Sequence, residues 1–304
     1  MKRAAEGQIH QRITAIATPA YPGYIIRGDE KSVMIDSGMN HIAPRYLACI
    51  KDLFGETGHP DYLFLTHFHY DHVGSAGYLK RHLPGLQLGG HERVADLAQK
   101  QSALDLMNRF SATHDELLQY NPSGEDVTLQ PVTIDLALKQ GDEIDLGGLT
   151  CRVYETPGHT RDSLSYYLPE IGTVFTGDAA GVLREGPGFP LQVIFLSSYD
   201  DYVDSLNVLI ALEPDMVCLA HHWVLSGDEA VKFLKRSRAE TFRYRELIEQ
   251  YLRGAGGDVE RAIQDMARAE YGVNGLALQP SAAQMTNLAI QVRHIAEIMG
   301  ASSA

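Results

Sequence analysis

In the first part of the chain apolar residues come in short runs broken by turn residues. Residues 13–17, 24–27 and 32–36 read as strands, with Tyr-Pro-Gly and Gly-Asp-Glu supplying the turns between them. Residues 42–54 carry apolar side chains at helical spacing and stop at Gly55, and Tyr62-Leu63-Phe64-Leu65 is a compact apolar run of the kind buried in a sheet. Helical and strand signals continue through 75–83, 86–88 and 91–120, the last reading as one long helical insert. A second set of short strands follows at 142–146, 149–155, 164–168 and 174–176, then a helix over 200–212 and a strand over 216–219. Two similar halves, each a sheet with helices outside, account for this order.

From residue 226 the pattern is helical only. Ser226 and Glu229 have the spacing of a capping box, and Val231, Leu234, Phe242, Ile248 and Leu252 follow on one side of a helix that ends in Gly254-Ala255-Gly256-Gly257. Ser281 and Gln284 repeat the box ahead of Met285, Leu288, Val292, Ile295 and Met299. Such stripes predict packing faces. The division they suggest is a domain over 1–225, with its helical insert at about 91–122, and a helical extension over 226–304 that caps the site or mediates dimerisation.

Composition changes this picture little. A chain of 304 residues, 44% hydrophobic and 21% charged, has the make-up of an ordinary globular protein large enough to bury a core. Cys49, Cys151 and Cys218 are odd in number and show no CxxC spacing, which predicts free thiols and a cytoplasmic setting. No apolar stretch of signal-peptide length follows Met1-Lys2-Arg3, and no run reaches the ~20 apolar residues of a membrane span, so no membrane partner is expected. A net charge of −13 disfavours nucleic acid, whose binding relies on Lys and Arg, and leaves a small-molecule substrate as the expected partner.

The chemistry concentrates in Thr66-His67-Phe68-His69-Tyr70-Asp71-His72, directly behind the apolar run at 62–65. His67 and His69 are two apart, so on extended backbone both rings leave the same side and can grip one ion. Asp71 and His72 fall where the chain turns into a helix and can face a second ion; imidazole and carboxylate together suit zinc, iron or manganese. This His-x-His-x-Asp-His stretch resembles the signature of the metallo-β-lactamase superfamily. Three further segments resemble that family's later motifs: Thr156-Pro157-Gly158-His159-Thr160, Phe175-Thr176-Gly177-Asp178, and the run from Pro214 to His221.

The resemblance implies an αββα sandwich over residues 12–225 and a site for two divalent metal ions, zinc first, with iron or manganese as alternatives. It assigns His67, His69 and His159 to one ion, Asp71, His72 and His221 to the other, and Asp178 to both, with a hydroxide between the ions as nucleophile and Asp71 as the catalytic carboxylate that orients it. Asp36 resembles a family position that fixes the tautomer of a ligand histidine. Of the neighbours His221 and His222 only the first falls at the ligand position. His10, His41, His59, His82, His91, His114 and His294 lie outside every motif and are expected at the surface or in packing.

The substrate is narrowed by departures from particular subfamilies. The cysteine of common zinc β-lactamases is replaced by Asp178, the quorum-signal lactonases' tyrosine by Gly181, and Ala179 to Gly188 does not match the glutathione-contacting motifs of glyoxalase II. In layout the chain is most similar to the subgroup of quinolone-signal thioesterases. The expected activity is therefore hydrolysis of an acyl or aroyl thioester or related activated ester, with a lactonase or phosphodiesterase on the same site, or a regulatory protein acting through its helical tail, as the rival readings. Leu106, Phe110, Tyr120, Phe242 and Tyr251 are expected as apolar pocket walls, and Lys232, Lys235, Arg236 and Arg238 as a solvated helix face or a phosphate contact.

Overall fold

The computed structural model describes residues 2–271 and 282–300. Strand β1 (Lys2–Ala4) belongs to the second of two sheets. The first is built from β2 (Gly7–His10), β3 (Ile13–Thr18), β4 (Tyr21–Arg27), β5 (Ser32–Ile35), β6 (Tyr62–Phe64), β7 (Gln87–His91) and β8 (Leu136–Leu138), side by side in that order. β2 to β5 run antiparallel, and β5 to β8 are parallel.

The second half contributes β9 (Glu143–Asp145), β10 (Thr150–Glu155), β11 (Leu164–Leu168) and β12 (Thr173–Phe175), a separate ribbon of β13 (Val182–Leu183) with β14 (Leu191–Gln192), then β15 (Met216–Cys218) and β16 (Trp223–Ser226). The second sheet has the order β1-β16-β15-β12-β11-β10-β9. Outside the first sheet lie α1 (Ala43–Phe54), α2 (Tyr70–Val73), α3 (Ala76–His82), α4 (Glu92–Leu97) and α5 (Gln101–Ser111). Outside the second lie α6 (Tyr199–Ala211), α7 (Asp228–Gly254), α8 (Val259–Tyr271) and α9 (Ala282–Ile298).

The near-continuous apolar strands follow from this layering, because both faces of each sheet are covered. Tyr24, Ile26, Val33, Ile35 and Phe64 point into the space between the sheets and meet Cys151, Val153, Tyr166, Phe175 and Cys218 of the second. Their neighbours Ile25, Met34, Leu63 and Leu65 point the other way, onto Tyr46, Ile50, Leu79 and Met107 of the outer helices. On the far side Val174, Val217 and Leu225 share one core with Leu206 and Leu209 of α6, Leu234, Ile248 and Leu252 of α7, Met266 of α8 and Val292 and Ile295 of α9.

Several local expectations differ from the structure. The stretch 91–120 is α4, α5 and a 3-10 turn rather than one helix, and His91 ends β7 and caps α4, its ring accepting a hydrogen bond from the Arg93 backbone N–H. Ser226 closes β16 instead of capping a helix; α7 starts behind Gly227, whose φ of 61° makes the turn and which provides no side-chain cap. Phe242 is 43% exposed, because the buried line of α7 runs through Leu234, Ser237, Thr241 and Ile248, and one position past Thr241 rotates the side chain about 100° away. Ser281 lies outside the described residues. Cys49, Cys151 and Cys218 are all free, and burial pushes the Cys151 thiol up to about 12.

Candidate metal centre

Four of the segments singled out in the sequence leave the ends of strands at one edge of the sandwich. The segment behind β6 carries His67 and His69, that behind β10 carries His159, that behind β12 carries Asp178, and that behind β15 carries His221. Backbone geometry at two glycines lets these turns close. Gly158 has φ 123° and a Cβ there would lie 2.3 Å from the Tyr202 backbone; Gly177 has φ 50° and a Cβ there would lie 2.8 Å from Thr66. Cross-links hold the edge together: Leu164 N–H donates to Thr66 O at 2.7 Å, Tyr166 Oη–H to Leu65 O at 2.7 Å and Tyr24 Oη–H to Leu219 O at 2.5 Å.

The structure brings all seven residues expected as metal ligands together, in three overlapping trios whose ligand atoms lie within 4.8 Å of one another: His67, His69 and His159; His67, His72 and Asp178; Asp71, His72 and His221. In the first trio Nε2 of His67, Nδ1 of His69 and Nε2 of His159 are 3.0, 3.1 and 3.2 Å apart. Ligands about 2.0–2.1 Å from one tetrahedral zinc ion are separated by about 3.3–3.4 Å, so the three nitrogens need open by only a few tenths of an ångström to share a cation. Asp178 stands between the trios, 3.6 Å from His159 Nε2, 3.8 Å from His72 Nε2 and 3.5 Å from His221 Nε2. Asp71 faces His221 at 3.6 Å. The buried Nε2 of His72 and Oδ1 of Asp178 have no hydrogen-bond partner, as unsatisfied electron pairs awaiting a cation would.

The opposite nitrogens are fixed. His72 Nδ1–H donates to Asp36 Oδ2 at 2.9 Å, His159 Nδ1–H to Ile194 O at 2.7 Å, His221 Nδ1–H to Ala20 O at 2.8 Å and His67 Nδ1–H to Thr66 Oγ1 at 3.1 Å. Each bond places the remaining lone pair on Nε2, toward the cluster. Asp36 thus takes the expected tautomer-fixing place. Asp162, missed in the sequence, accepts from Phe68 N–H at 2.8 Å and pins the backbone between His67 and His69.

The electrostatics match this arrangement. Burial and then the neighbouring imidazoles hold His67 well below the usual histidine range, and burial and then His159 push His69 down to about 4. Burial also lowers His159. For His72 burial works downward, but the carboxylates of Asp36, Asp71 and Asp178 outweigh it and raise its pKa. Burial works to raise Asp178, yet His221, His72 and His159 hold its carboxyl below the usual range.

Above the cluster lies a cavity of about 690 Å³. Leu106 and Phe110 line it as expected, whereas Tyr120 packs into the first outer core, Tyr251 packs into the second, and Phe242 faces outward. The sequence reading missed Tyr21, whose ring meets His221 edge-on at 5.5 Å, and His114, which lines the cavity beside Tyr70. It also missed one face of α9, where Ala283, Asn287 and Ile290 reach the cavity while Leu288, Val292 and Ile295 point into the core. That face was legible as the side of the helix opposite the apolar stripe. The basic cluster of α7 does not line the cavity: Lys232 pairs with Asp228, Arg236 bonds Phe189 O and Arg238 bonds Asn207. Among the described residues no helix is long and apolar enough to cross a membrane.

Residues 22–221 match the metallo-β-lactamase superfamily. A metallo-β-lactamase fold-containing protein of Sulfurisphaera tokodaii is 28% identical over 70% of this chain and 77% of its own length. A hydroxyacylglutathione hydrolase of Brucella anthropi is 30% identical over 61% of this chain, and the match spans 59% of that enzyme. Among solved structures, a metallo-β-lactamase family protein from Thermus thermophilus aligns with a TM-score of 0.64 at 18% identity, covering 95% of this chain and 92% of that one.

Proposed function

The chain belongs to the metallo-β-lactamase superfamily, and from that premise we propose that it is a hydrolase that holds two divalent metal ions, zinc first and iron or manganese as alternatives, and cleaves a thioester or related activated ester. The observation that carries the reading is the convergence of five histidines and two aspartates under one cavity, with His72 Nε2 and Asp178 Oδ1 unsatisfied. His67, His69 and His159 would hold one ion, Asp71, His72 and His221 the other, and Asp178 both. Ions held there supply Lewis acidity, polarising the acyl oxygen and lowering the pKa of water toward about 7.

The protein's own groups position the substrate and move the proton. Asp71 is the more open of the two cavity carboxylates, its side chain 17% exposed against 7% for Asp178. It is assigned to accept, at a carboxylate oxygen, the proton of the water that attacks the acyl carbon. It returns that proton to sulfur as the C–S bond breaks, so that a thiol and a carboxylic acid leave. Leu106, Met107, Phe110 and Ile290 offer an apolar wall for the acyl group. The thioester class is further supported by similarity to a hydroxyacylglutathione hydrolase, whose substrate name denotes a thioester. In this reading the helical extension caps the site through α9, and the free thiols fit a cytoplasmic setting.

The test is metal analysis of protein purified without chelator, joined to a panel of acyl thioesters, lactones and bis-aryl phosphates. Metal-dependent thioester hydrolysis is expected. Turnover of lactones or phosphodiesters at least a hundredfold faster in kcat/KM, about 2.7 kcal/mol of transition-state preference, would overturn it.

A further inference from the structure

Beside the ligand cluster the cavity lining includes, among the described residues, one guanidinium that the proposed chemistry does not use. Arg184 follows β13 at the rim, and Val182, Arg184 and Gln192 of the β13–β14 ribbon all line the cavity. Arg184 is half-buried. Its Nε donates to Gln192 Oε1 at 2.8 Å, and Nη2 bonds the same oxygen. Among the described residues no carboxylate lies within ion-pair distance of it, and Gln192 is a neutral acceptor. Arg184 shares the cavity lining with Tyr21, His221 and His222.

The rest of the lining makes this charge informative. Among the described residues no other Lys or Arg lines the cavity, and the acidic residues that do, Asp71 and Asp178, are both in the ligand set. Two divalent ions would more than neutralise those carboxylates, so the cavity interior would be electropositive although the chain as a whole carries −13. The lining from α5 is apolar at Leu106 and Phe110, and α9 adds Ile290 beside the polar Gln284, Thr286 and Asn287. The guanidinium of a half-buried arginine whose side-chain partner among the described residues is an amide keeps donors for a planar anion, which it grips through paired N–H groups more strongly than any neutral acceptor.

We propose that Arg184 selects the substrate: the molecule hydrolysed carries an anionic group, a carboxylate or its equivalent, away from the scissile bond, with its apolar part against α5 and α9. This rests on the thioester reading for the reaction but not for the binding. The anion can belong to the acyl half or to the thiol half, and the two are separated by paired substrates. One pair is the glutaryl thioester of N-acetylcysteamine and its methyl ester. The other is the acetyl thioester of 3-mercaptopropionate and its methyl ester.

With metal-loaded full chain, one pair should show a preference for the carboxylate member of tenfold or more in kcat/KM, about 1.4 kcal/mol, expressed mainly in KM. Arg184→Gln should bring that ratio to within about twofold of one, Arg184→Lys should retain part of it, and Arg184→Glu should invert it. Ratios near one in the wild type for both pairs, or a ratio unchanged in Arg184→Gln, would overturn the proposal. If no thioester turns over, the thioester reading fails and Arg184 is judged by thermal shift of the metal-loaded chain with glutarate. Stabilisation lost in Arg184→Gln supports the assignment; equal shifts overturn it.

Discussion

His72 Nδ1 lies 2.9 Å from Asp36 Oδ2 across 36 positions of sequence, and the same carboxylate accepts from Thr66 N–H and Thr66 Oγ1–H at 2.8 Å each. Asp36 reaches this place from a left-handed backbone, φ 57°. Asp36→Asn keeps the shape but replaces one acceptor oxygen with a donor. Metal affinity should fall by about 10–100-fold. Titration against a chromophoric chelator measures it, and wild-type affinity would show that Asp36 only packs.

Asp178 is within 3.8 Å of imidazole nitrogens belonging to both outer trios. Asp178→Ala should therefore lower total metal content by more than one ion per chain and abolish hydrolysis. Elemental analysis of wild type and variant, purified in parallel, decides this; loss confined to one ion would argue against a bridging role.

His221 and His222 separate by backbone direction. His221 Nε2 meets Asp71 and Asp178, whereas His222 takes a left-handed φ of 62° and belongs to none of the trios. His221→Ala should empty the second ion position, and His222→Ala should leave metal content near two ions per chain. The reverse pattern would reassign the ligand.

Chelated protein should lose stability on acidification. His67, His69 and His159 have pKa values lowered in the fold, His69 to about 4, so between that value and the ordinary 6.5 the unfolded chain binds more protons than the native one. Stability falls as pH drops through this window. His72, raised above 6.5, acts in the opposite sense but at higher pH, and its contribution is constant below 6.5. Urea midpoints of metal-free protein at pH 7, 6 and 5 should decline steadily; a flat profile would refute the assigned environments.

Gly158 has no room for a side chain, since a Cβ would sit 2.3 Å from both N and Cα of Tyr202 on α6. Gly158→Ala should cost about 3 kcal/mol or more and displace the adjacent His159. Denaturant unfolding gives the cost, and metal content gives the displacement.

The sequence alone determined the strand character of 13–36 and 142–176 and the free cysteines, which local spacing and residue type carry, and it singled out the seven clustered residues, His67 to His72 by their spacing and His159, Asp178 and His221 by family resemblance. Two residues of separation put His67 and His69 on one side, and the continuous apolar run at 62–65 already read as a strand buried in its sheet. Tertiary structure decided what no local pattern contains. Asp36 became the partner of His72, and Ala20 O that of His221, only through packing of strands remote in sequence. The cavity wall likewise combines Tyr21, Phe110, Arg184 and Ile290 from four separate segments. Helical periodicity identified the buried side of α9, but which surface its other side would meet depends on how the helices dock over the sheet edge. That is set by the summed burial of the second outer core and not by the residues that line the cavity.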